Sequence, residues 1–558
     1  MTYKESSQTA RARTVLRSGL KTLRQQGPGQ FQFWFIALAI GVTAGLFATV
    51  FRMSVNALQE LVYGTEDVRM LHSFVDSLPW YWVLVIPILG GFVVGLLLQF
   101  FTPDGRARSV AEVIEGAALR EGRVETKAGL VSALASMITL GSGGSSGREG
   151  PVVHFAAVIS TWVSDRINAS GVTARDLMGC AAAAAVSASF NAPIAGALFA
   201  LEVVLRHFAL HAFAPIVIAS VAGTVVSRLA FGDVVEFELP DENMLEFYAE
   251  LPAFLVLGLV CGLIAVVLMR SIFFADEWAD RRVSQLGFPG WLRPTLAGGL
   301  LGAIAIWYPH IIGVGYETTF AALQGDLILH DAIVFTVVKV FAVAVTLGGR
   351  MGGGVFSPSL MVGALAGLAY GLVATGVAPS ISSEPTIYAL AGMGAVSAAV
   401  LGAPISTTLI VFELTGDWQI GIAVMLAVST ATAVGSKLVE RSFFLTQLEN
   451  RGVHLAAGPH AYLLSLHSVE RVMRGKADED AADEEVCWAF IEEGVYIDAS
   501  ATLERAMPMF DTNDRPFIPV VAKRSRDGTL ELRGALFQVD ALQVYNKALA
   551  AVSEEEHG

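Results

Sequence analysis

GSGGSSGREGP, Gly141 to Pro151, lies between two apolar runs at 127–140 and 152–163. Its five glycines and three serines leave the backbone amides uncovered. Arg148 and Glu149 follow, then Gly150 and Pro151 at a predicted helix start. Proline suits a first helical turn, where its missing N–H would have no partner anyway. A helix start offers free amides and a partial positive charge, so it binds anions. Glu149 is itself an anion set at that start, and an ionisable group at membrane depth marks a functional site. A linker would not carry an Arg-Glu pair between apolar walls. A dinucleotide loop would need a preceding strand and a soluble βαβ unit, which these flanks do not provide. The stretch reads as an anion site built from backbone amides.

Composition sets the class. The chain has 558 residues, 54% of them hydrophobic and 16% charged, with a mean hydropathy of +0.58. Soluble domains carry about 25% charged residues, so most of this chain faces lipid or a large apolar core. The net charge of −14 argues against nucleic acid as a partner. Cys180, Cys261 and Cys487 are odd in number and lack metal-ligand spacing, so neither a disulfide framework nor a metal site is implied.

Residues 1–30 are basic (Lys4, Arg11, Arg13, Arg17, Lys21, Arg24) and lack the apolar core of a signal peptide. Val15, Leu16, Leu20 and Leu23 recur at helical spacing, which predicts an amphipathic helix on the membrane surface; a disordered basic tail is the alternative. The basic flank puts the N-terminus in the cytoplasm. Apolar runs follow at 33–51, 80–101, 127–140, 152–167, 177–205, 215–230, 252–273, 294–307, 332–347, 360–375, 387–400, 404–414 and 420–439. A straight crossing takes about 20 apolar residues. Several runs are shorter, and 177–205 is broken at Asn191 and Pro193. Broken helices make ion sites near the midplane.

The chain also repeats itself. AVSASFNAPIAGALFALE at 185–202 matches AVSAAVLGAPISTTLIVFE at 395–413, with nine positions from Pro193 to Glu202 and nine from Pro404 to Glu413. The two copies are offset by 211 residues, and a second glycine-rich start, GGRMGGGVFSPSL at 348–360, has its Pro358 207 residues after Pro151. Two such halves predict a duplicated transporter fold.

GREGP at 147–151, GVFSP at 354–358 and SFFLTQLENRGV at 442–453, in this order and at these separations, resemble the CLC family of voltage-gated chloride channels and chloride/proton exchangers. The resemblance covers residues of about 30–460. It implies an all-α polytopic membrane protein with the CLC fold, two inverted repeats of tilted and broken helices. It also implies a homodimer in membrane lipid, with an anion pathway in each subunit. Glu149 takes the place of the family's gating glutamate, which occupies the outer anion site when ionised and swings out when protonated. The amides of Arg148, Glu149, Gly150, Val355 and Phe356 take the place of the pathway lining. Such dipoles hold an anion without a full counter-charge, so it can leave again. Glu149 and chloride compete for the same amides, so gating is expected to couple to pH.

Three positions depart from the family pattern. ARSVAEV at 107–113 stands where a GSGxPE-like motif is usual, with Arg108 at the central serine and Ala111 at the proline. Either Arg108 is a fixed cation on the pathway, or the loop is rebuilt and Arg108 points to the cytoplasm. Phe444 stands at the inner tyrosine and lacks the hydroxyl that binds the central anion. Val203 stands where exchangers commonly carry an inner proton glutamate, and valine cannot carry a proton. These departures favour a passive anion channel. A chloride/proton antiporter with an unconventional proton route is the alternative, and a fluoride exporter a narrower one. Glu202 and Glu413 read as structural caps or pairs.

Residues 235–251, with Glu236, Glu238, Asp241, Glu242, Glu246 and Glu250, read as a solvated acidic loop. KADEDAADEE at 476–485 reads as a mobile linker. Beyond it, strands are expected at 494–497, 517–521 and 530–537, helices at 500–510 and 539–549, and a turn at Arg526–Asp527–Gly528. DASATLERA and RPFIPVV resemble one motif of the cystathionine β-synthase (CBS) type, a small α/β CBS-like cytoplasmic domain. Such modules normally pair, with a degenerate half within 462–490 or with the partner's tail. Some bind adenine nucleotides, but no residue here singles out that ligand, and no cofactor is expected beyond chloride as the transported ion. The domain reading is therefore 1–30 N-terminus, 31–460 transport domain, 461–490 linker, 491–552 CBS-like domain and 553–558 acidic tail. An enzyme is not expected, since Ser145 and Ser146 have no histidine near them in sequence. The expected location is the plasma (bacterial inner) membrane, with both termini cytoplasmic.

Overall fold

The computed structural model describes residues 29–65, 70–208, 210–232, 250–379, 382–415, 418–453, 455, 463–478, 480–523 and 530–557. The amphipathic helix expected before residue 29, most of the acidic loop at 235–249 and the turn at 526–528 lie outside them.

The long apolar runs are helices. Among the described residues, seven are long and apolar enough to cross a membrane: Phe31–Tyr63, Trp80–Phe101, Ala212–Phe231, Leu251–Val283, Leu329–Gly348, Phe356–Val377 and Ile420–Glu449. Shorter apolar helices, Thr126–Gly141, Pro193–Leu205, Pro385–Leu401 and Pro404–Leu414, are the broken elements. The run expected at 177–205 divides at Asn191, whose φ of 58° closes the Gly171–Phe190 helix. Pro193 then opens the next helix at its first position. That helix passes into a π-helical turn, Ala200–Leu205, which contains Val203.

The two halves meet as inverted copies. The carboxylate of Glu202 accepts hydrogen bonds from the amides of Ile405 and Ser406, at 2.9 and 2.8 Å. Glu413 accepts from the amides of Ile194 and Ala195, at 3.0 and 2.8 Å. Each acid thus satisfies the free amides at the helix start of the other repeat. This is the structural role the sequence reading preferred for both. Small residues let the helices close up. A Cβ on Gly363 would stand 2.3 Å from the carbonyl oxygen of Gly392, so glycine sets the approach of Phe356–Val377 to Pro385–Leu401. The centre is the Gly171–Phe190 helix, in which Ala181 to Ala185 are all fully buried.

The helix Leu251–Leu286 has 36 residues, about 54 Å at 1.5 Å per residue, well over the ~30 Å apolar thickness of a bilayer. Its overhang carries Asp276 and Asp280. Its start corrects one expectation. Glu250 does not belong to a solvated loop: it is 2% exposed and accepts from the Ser383 amide at 2.7 Å and from the Ser383 and Tyr388 hydroxyls at 2.5 Å.

The C-terminal unit is a four-stranded mixed sheet in the order β1-β4-β3-β2. β1 is Arg474–Gly475, β2 Ile497–Asp498, β3 Phe517–Lys523 and β4 Leu530–Phe537. β2 pairs in parallel with β3, and β4 is antiparallel to both β3 and β1. The expected linker at 461–490 differs from what folds. It supplies β1, the helix Glu484–Glu492 and the buried side chains of Leu464, Val469 and Cys487. Arg474 ties it to Asp540 through two hydrogen bonds of 2.7 and 3.0 Å. The final helix runs from Gln538 to His557, through most of the expected acidic tail. The unit rests on the membrane helices. Arg505 stands 3.6 Å from Glu121, at the end of Val110–Leu119, and Glu504 stands 3.6 Å from Arg206.

Candidate anion pathway

The site forms where the two glycine-rich starts meet. Gly147 donates to the Gly354 carbonyl at 2.7 Å, and Gly354 donates back to Gly147 at 2.8 Å. Threonines fix the loops on either side: the Thr346 hydroxyl accepts from the Ser145 amide, and the Thr139 hydroxyl from the Gly352 amide. Gly143 and Gly353 have φ of 95° and 131°, which side-chain-bearing residues rarely adopt. The helices Glu149–Ile167 and Phe356–Val377 therefore begin side by side, each with free first-turn amides.

Glu149 is 1% exposed. Its carboxylate accepts from the Ser357 hydroxyl at 2.5 Å, and the amides of Ser357 and of Glu149 itself face it. A carboxylate thus occupies the pocket that the two helix starts make for an anion. Arg148 is its neighbour, with Nε 3.9 Å from Oε1. The Arg148 guanidinium is held elsewhere: it donates to the Ser189 carbonyl at 3.0 Å and lies over the Tyr316 ring at 5.0 Å. Gly150 stands against the opposite loop, where an added Cβ would be 3.2 Å from the Gly354 Cα. Val355 and Phe356 are buried, and the Phe356 ring packs on Phe190 and Phe199 at 4.7 and 5.9 Å.

Two cavities touch these loops, one at Gly354 and Val355 and one at Arg148. The first is lined by Arg106, Ser109, Arg350, Gly354, Phe443 and Arg451, among others. Arg106, Arg293 and Arg350 share Asp276 and Asp280, so three cations face two anions and a positive charge is left at this mouth. The other cavity is lined by Arg52, Gln59, His72, Arg148, Tyr316 and Glu317, among others. There His72 pairs with Glu317 at 2.9 Å.

The residues that depart from the family pattern fall as follows. Arg108 does not point at the filter: its guanidinium bonds Asp104 at 2.7 Å and lies 3.6 Å from Glu125, the rebuilt-loop alternative. Ser109 stands at the filter instead, its Oγ 3.5 Å from where a Cβ of Gly150 would be. The Ser109 amide donates to Glu112 at 2.6 Å, which starts the Val110–Leu119 helix. This S-V-A-E capping pattern was readable in the sequence. The mouth is lined by Phe443, and Phe444 packs edge-on to it at 5.8 Å. Val203 is buried in the apolar core. Sequence reasoning did not single out Ser357, although it lies within GVFSP, nor Arg106, Arg350 and Arg451.

The family model for voltage gated chloride channels matches residues 90–436, and the chain belongs to that family. It is 31% identical over 399 residues to a putative chloride channel protein ClcB-like of Ralstonia nicotianae, covering 71% of this chain and 91% of that protein. It is 28% identical over 436 residues to the H(+)/Cl(-) exchange transporter ClcA of Vibrio cholerae, covering 75% and 90%. Its fold matches the crystal structure of a slow cyanobacterial Cl-/H+ antiporter with a TM-score of 0.66 and 21% identity, covering 75% of this chain and 97% of that one. The chain is thus a multi-pass membrane protein of a chloride-transporting family.

Proposed function

We propose that the chain is a passive chloride channel in which Glu149 is the gate. The observation that carries this reading is the Glu149 carboxylate lying between two paired helix starts, bonded by Ser357 and faced by amides. In conduction, chloride enters by the arginine-lined mouth, passes Ser109, and competes with Glu149 for the amides around Gly150, Val355 and Phe356. Protonation removes the charge that Glu149 uses to compete, and the side chain yields the site. Val203, apolar and buried, supports uncoupled conduction, because it offers no proton relay in its π-helical turn. The reading includes a homodimer in the plasma membrane, with the CBS-like unit in the cytoplasm.

The rival reading is coupled exchange, the activity in the name of the Vibrio relative. Reversal potentials of the purified protein in a planar bilayer separate the two. Under a chloride gradient, the potential of a channel follows chloride alone and ignores an added pH gradient. A potential that shifts with the pH gradient replaces this reading with exchange.

A further inference from the structure

Arg350 has a φ of 60°, a backbone conformation that side-chain-bearing residues seldom adopt. Such a residue persists where its surroundings or its task require it. Its side chain reaches the mouth beside Gly354, where Arg106 and Arg451 join it from two other stretches of chain. Arg106 precedes the Val110–Leu119 helix, and Arg451 follows the Phe443–Glu449 helix. Positive charge is in surplus here. Arg106, Arg293, Arg350 and Arg451 stand against Asp276, Asp280 and Glu112, four cations to three anions.

Hydrogen-bond donors are in surplus as well, because the acids use only part of each guanidinium. Arg350 gives Nη2 to both oxygens of Asp280, at 2.7 and 2.9 Å, and Arg451 gives Nη1 to Glu112. Among the described residues, the buried Nε of Arg350 and the buried Nε of Arg451 have no hydrogen-bond partner. The Asp276 oxygen, 3.8 Å from Arg350 Nε, is too far to serve. Leaving a buried donor unpaired is costly. The amide oxygen of Gln447, on the same wall, is buried and unpaired too; a half-turn of that carboxamide presents its NH2 instead. Two orphaned guanidinium donors and a carboxamide, brought to one cavity, suit an anion with several acceptor oxygens. Arginine pairs with such anions through parallel N–H···O bonds. A chloride ion offers a single centre and leaves that geometry unused.

We propose that the arginine-lined mouth binds a tetrahedral oxyanion of the inorganic phosphate type, and that the bound oxyanion shuts chloride out. Its oxygens accept from the Nε of Arg350 and of Arg451, and from Arg106 and Gln447. Gly354 and Val355 line the same cavity, so an occupant stands in front of the paired helix starts. The oxyanion comes from solution. A lipid phosphate would reach Arg350 by the neighbouring cavity, lined by Gln99, Thr102, Asp104, Trp291 and Arg350, among others, where Asp104 repels it. Chloride flux therefore falls as dissolved phosphate rises. The inference rests on this mouth as the chloride entry.

Calorimetry of the purified full chain, titrated with sodium phosphate at constant pH and ionic strength, tests the site. Saturable binding is expected, and it weakens as chloride replaces gluconate in the buffer. Arg350→Gly should raise the dissociation constant about tenfold, as expected on losing a hydrogen bond to a charged group. Glycine adopts a φ of 60° freely, so the fold is kept. Gln447→Leu, which removes an unpaired buried amide, should weaken binding several-fold. In a planar bilayer at constant chloride, phosphate on one face should lower the wild-type current, and Arg350→Gly should need about tenfold more for the same block. Heats that do not saturate, an Arg350→Gly constant equal to the wild-type one, or a current that ignores phosphate on both faces overturns the proposal. So does a block that needs phosphatidic acid in phosphatidylcholine vesicles and that dissolved phosphate does not produce, which assigns the site to a lipid headgroup. Should Arg350→Gly fail to fold, unchanged binding in Gln447→Leu overturns it. A wild-type chain that carries no chloride current refutes the conduction reading instead, and calorimetry still decides the site.

Discussion

Ser357→Ala removes a side-chain donor that bonds Glu149, at 2.5 Å. The wild-type hydroxyl favours the ionised carboxylate in the closed position. A hydrogen bond to a charged group contributes about 1.5–3 kcal/mol, and about 1.4 kcal/mol corresponds to one pH unit. The nearby Arg148 and the facing amides remain in the variant and retain part of the effect, so the expected shift is about one unit. Protonation becomes easier, so the pH of half-maximal chloride flux moves up. The assay is chloride efflux from vesicles against pH, with Ser357→Thr, which keeps a hydroxyl, restoring the wild-type curve. Alanine shrinks the side chain without adding bulk, so a folded protein is expected. A Ser357→Ala curve that overlies the wild-type one, or moves to lower pH, refutes the claim that this hydroxyl holds the gate closed.

Further outcomes follow from other contacts. Glu149→Gln should conduct chloride with no pH dependence, and a persisting dependence in vesicle efflux removes the gate assignment. Arg106→Gln should lower chloride conductance about twofold at low salt and hardly at all near 1 M, where the screening length falls to about 3 Å; an equal loss at both salts shows that the arginine acts by packing. Glu250→Ala leaves the Ser383 and Tyr388 donors unpaired, at about 1–3 kcal/mol each, so thermal unfolding in detergent should fall by several degrees with the flux-pH curve unmoved. Burial, and then the neighbouring His72, holds the His310 imidazole down to about 4. The neutral ring is the form that suits the fold, so its contribution to stability is present above the unfolded value of ~6.5 and lost as pH falls toward about 4. His310→Gln should therefore leave the flux-pH curve unchanged near neutral pH.

Helix identity was legible because apolar runs bounded by Pro, Gly and Asn leave few alternatives. The 80–101 run and the helix Trp80–Phe101 agree at both ends. The APIxxxLxxxE repeat was legible because each acid caps the other copy, a need that fixes its spacing. Register at the filter was harder. Family spacing put Arg108 at the anion, but a planar guanidinium finds better partners in Asp104 and Glu125. The S-V-A-E cap then leaves Ser109 at the filter. Phe443 and Phe444 are chemically alike, so only the helix rotation decides which lines the mouth. Glu250 looked like one more acid in an acidic loop. Its role depends on Ser383 and Tyr388, more than 130 residues away, and charge count alone carries no such information. The arginine-lined mouth was invisible for the same reason, since its residues come from four separate stretches of chain.

The two hydrogen bonds between Gly147 and Gly354 also constrain how the protein is made. The residues are 207 apart, a delay of about 10–40 s at ~5–20 residues per second. During that time the first loop's polar backbone lies between apolar helices without its partner, and lipid cannot supply one. Water or the insertion machinery must satisfy it until the second loop arrives. The first half of the chain can be threaded into the membrane alone, but it cannot close its own ion site. A ribosome that stalls between the two loops therefore leaves an inserted, sealed and inactive fragment, and the finished filter doubles as a check that both halves were made.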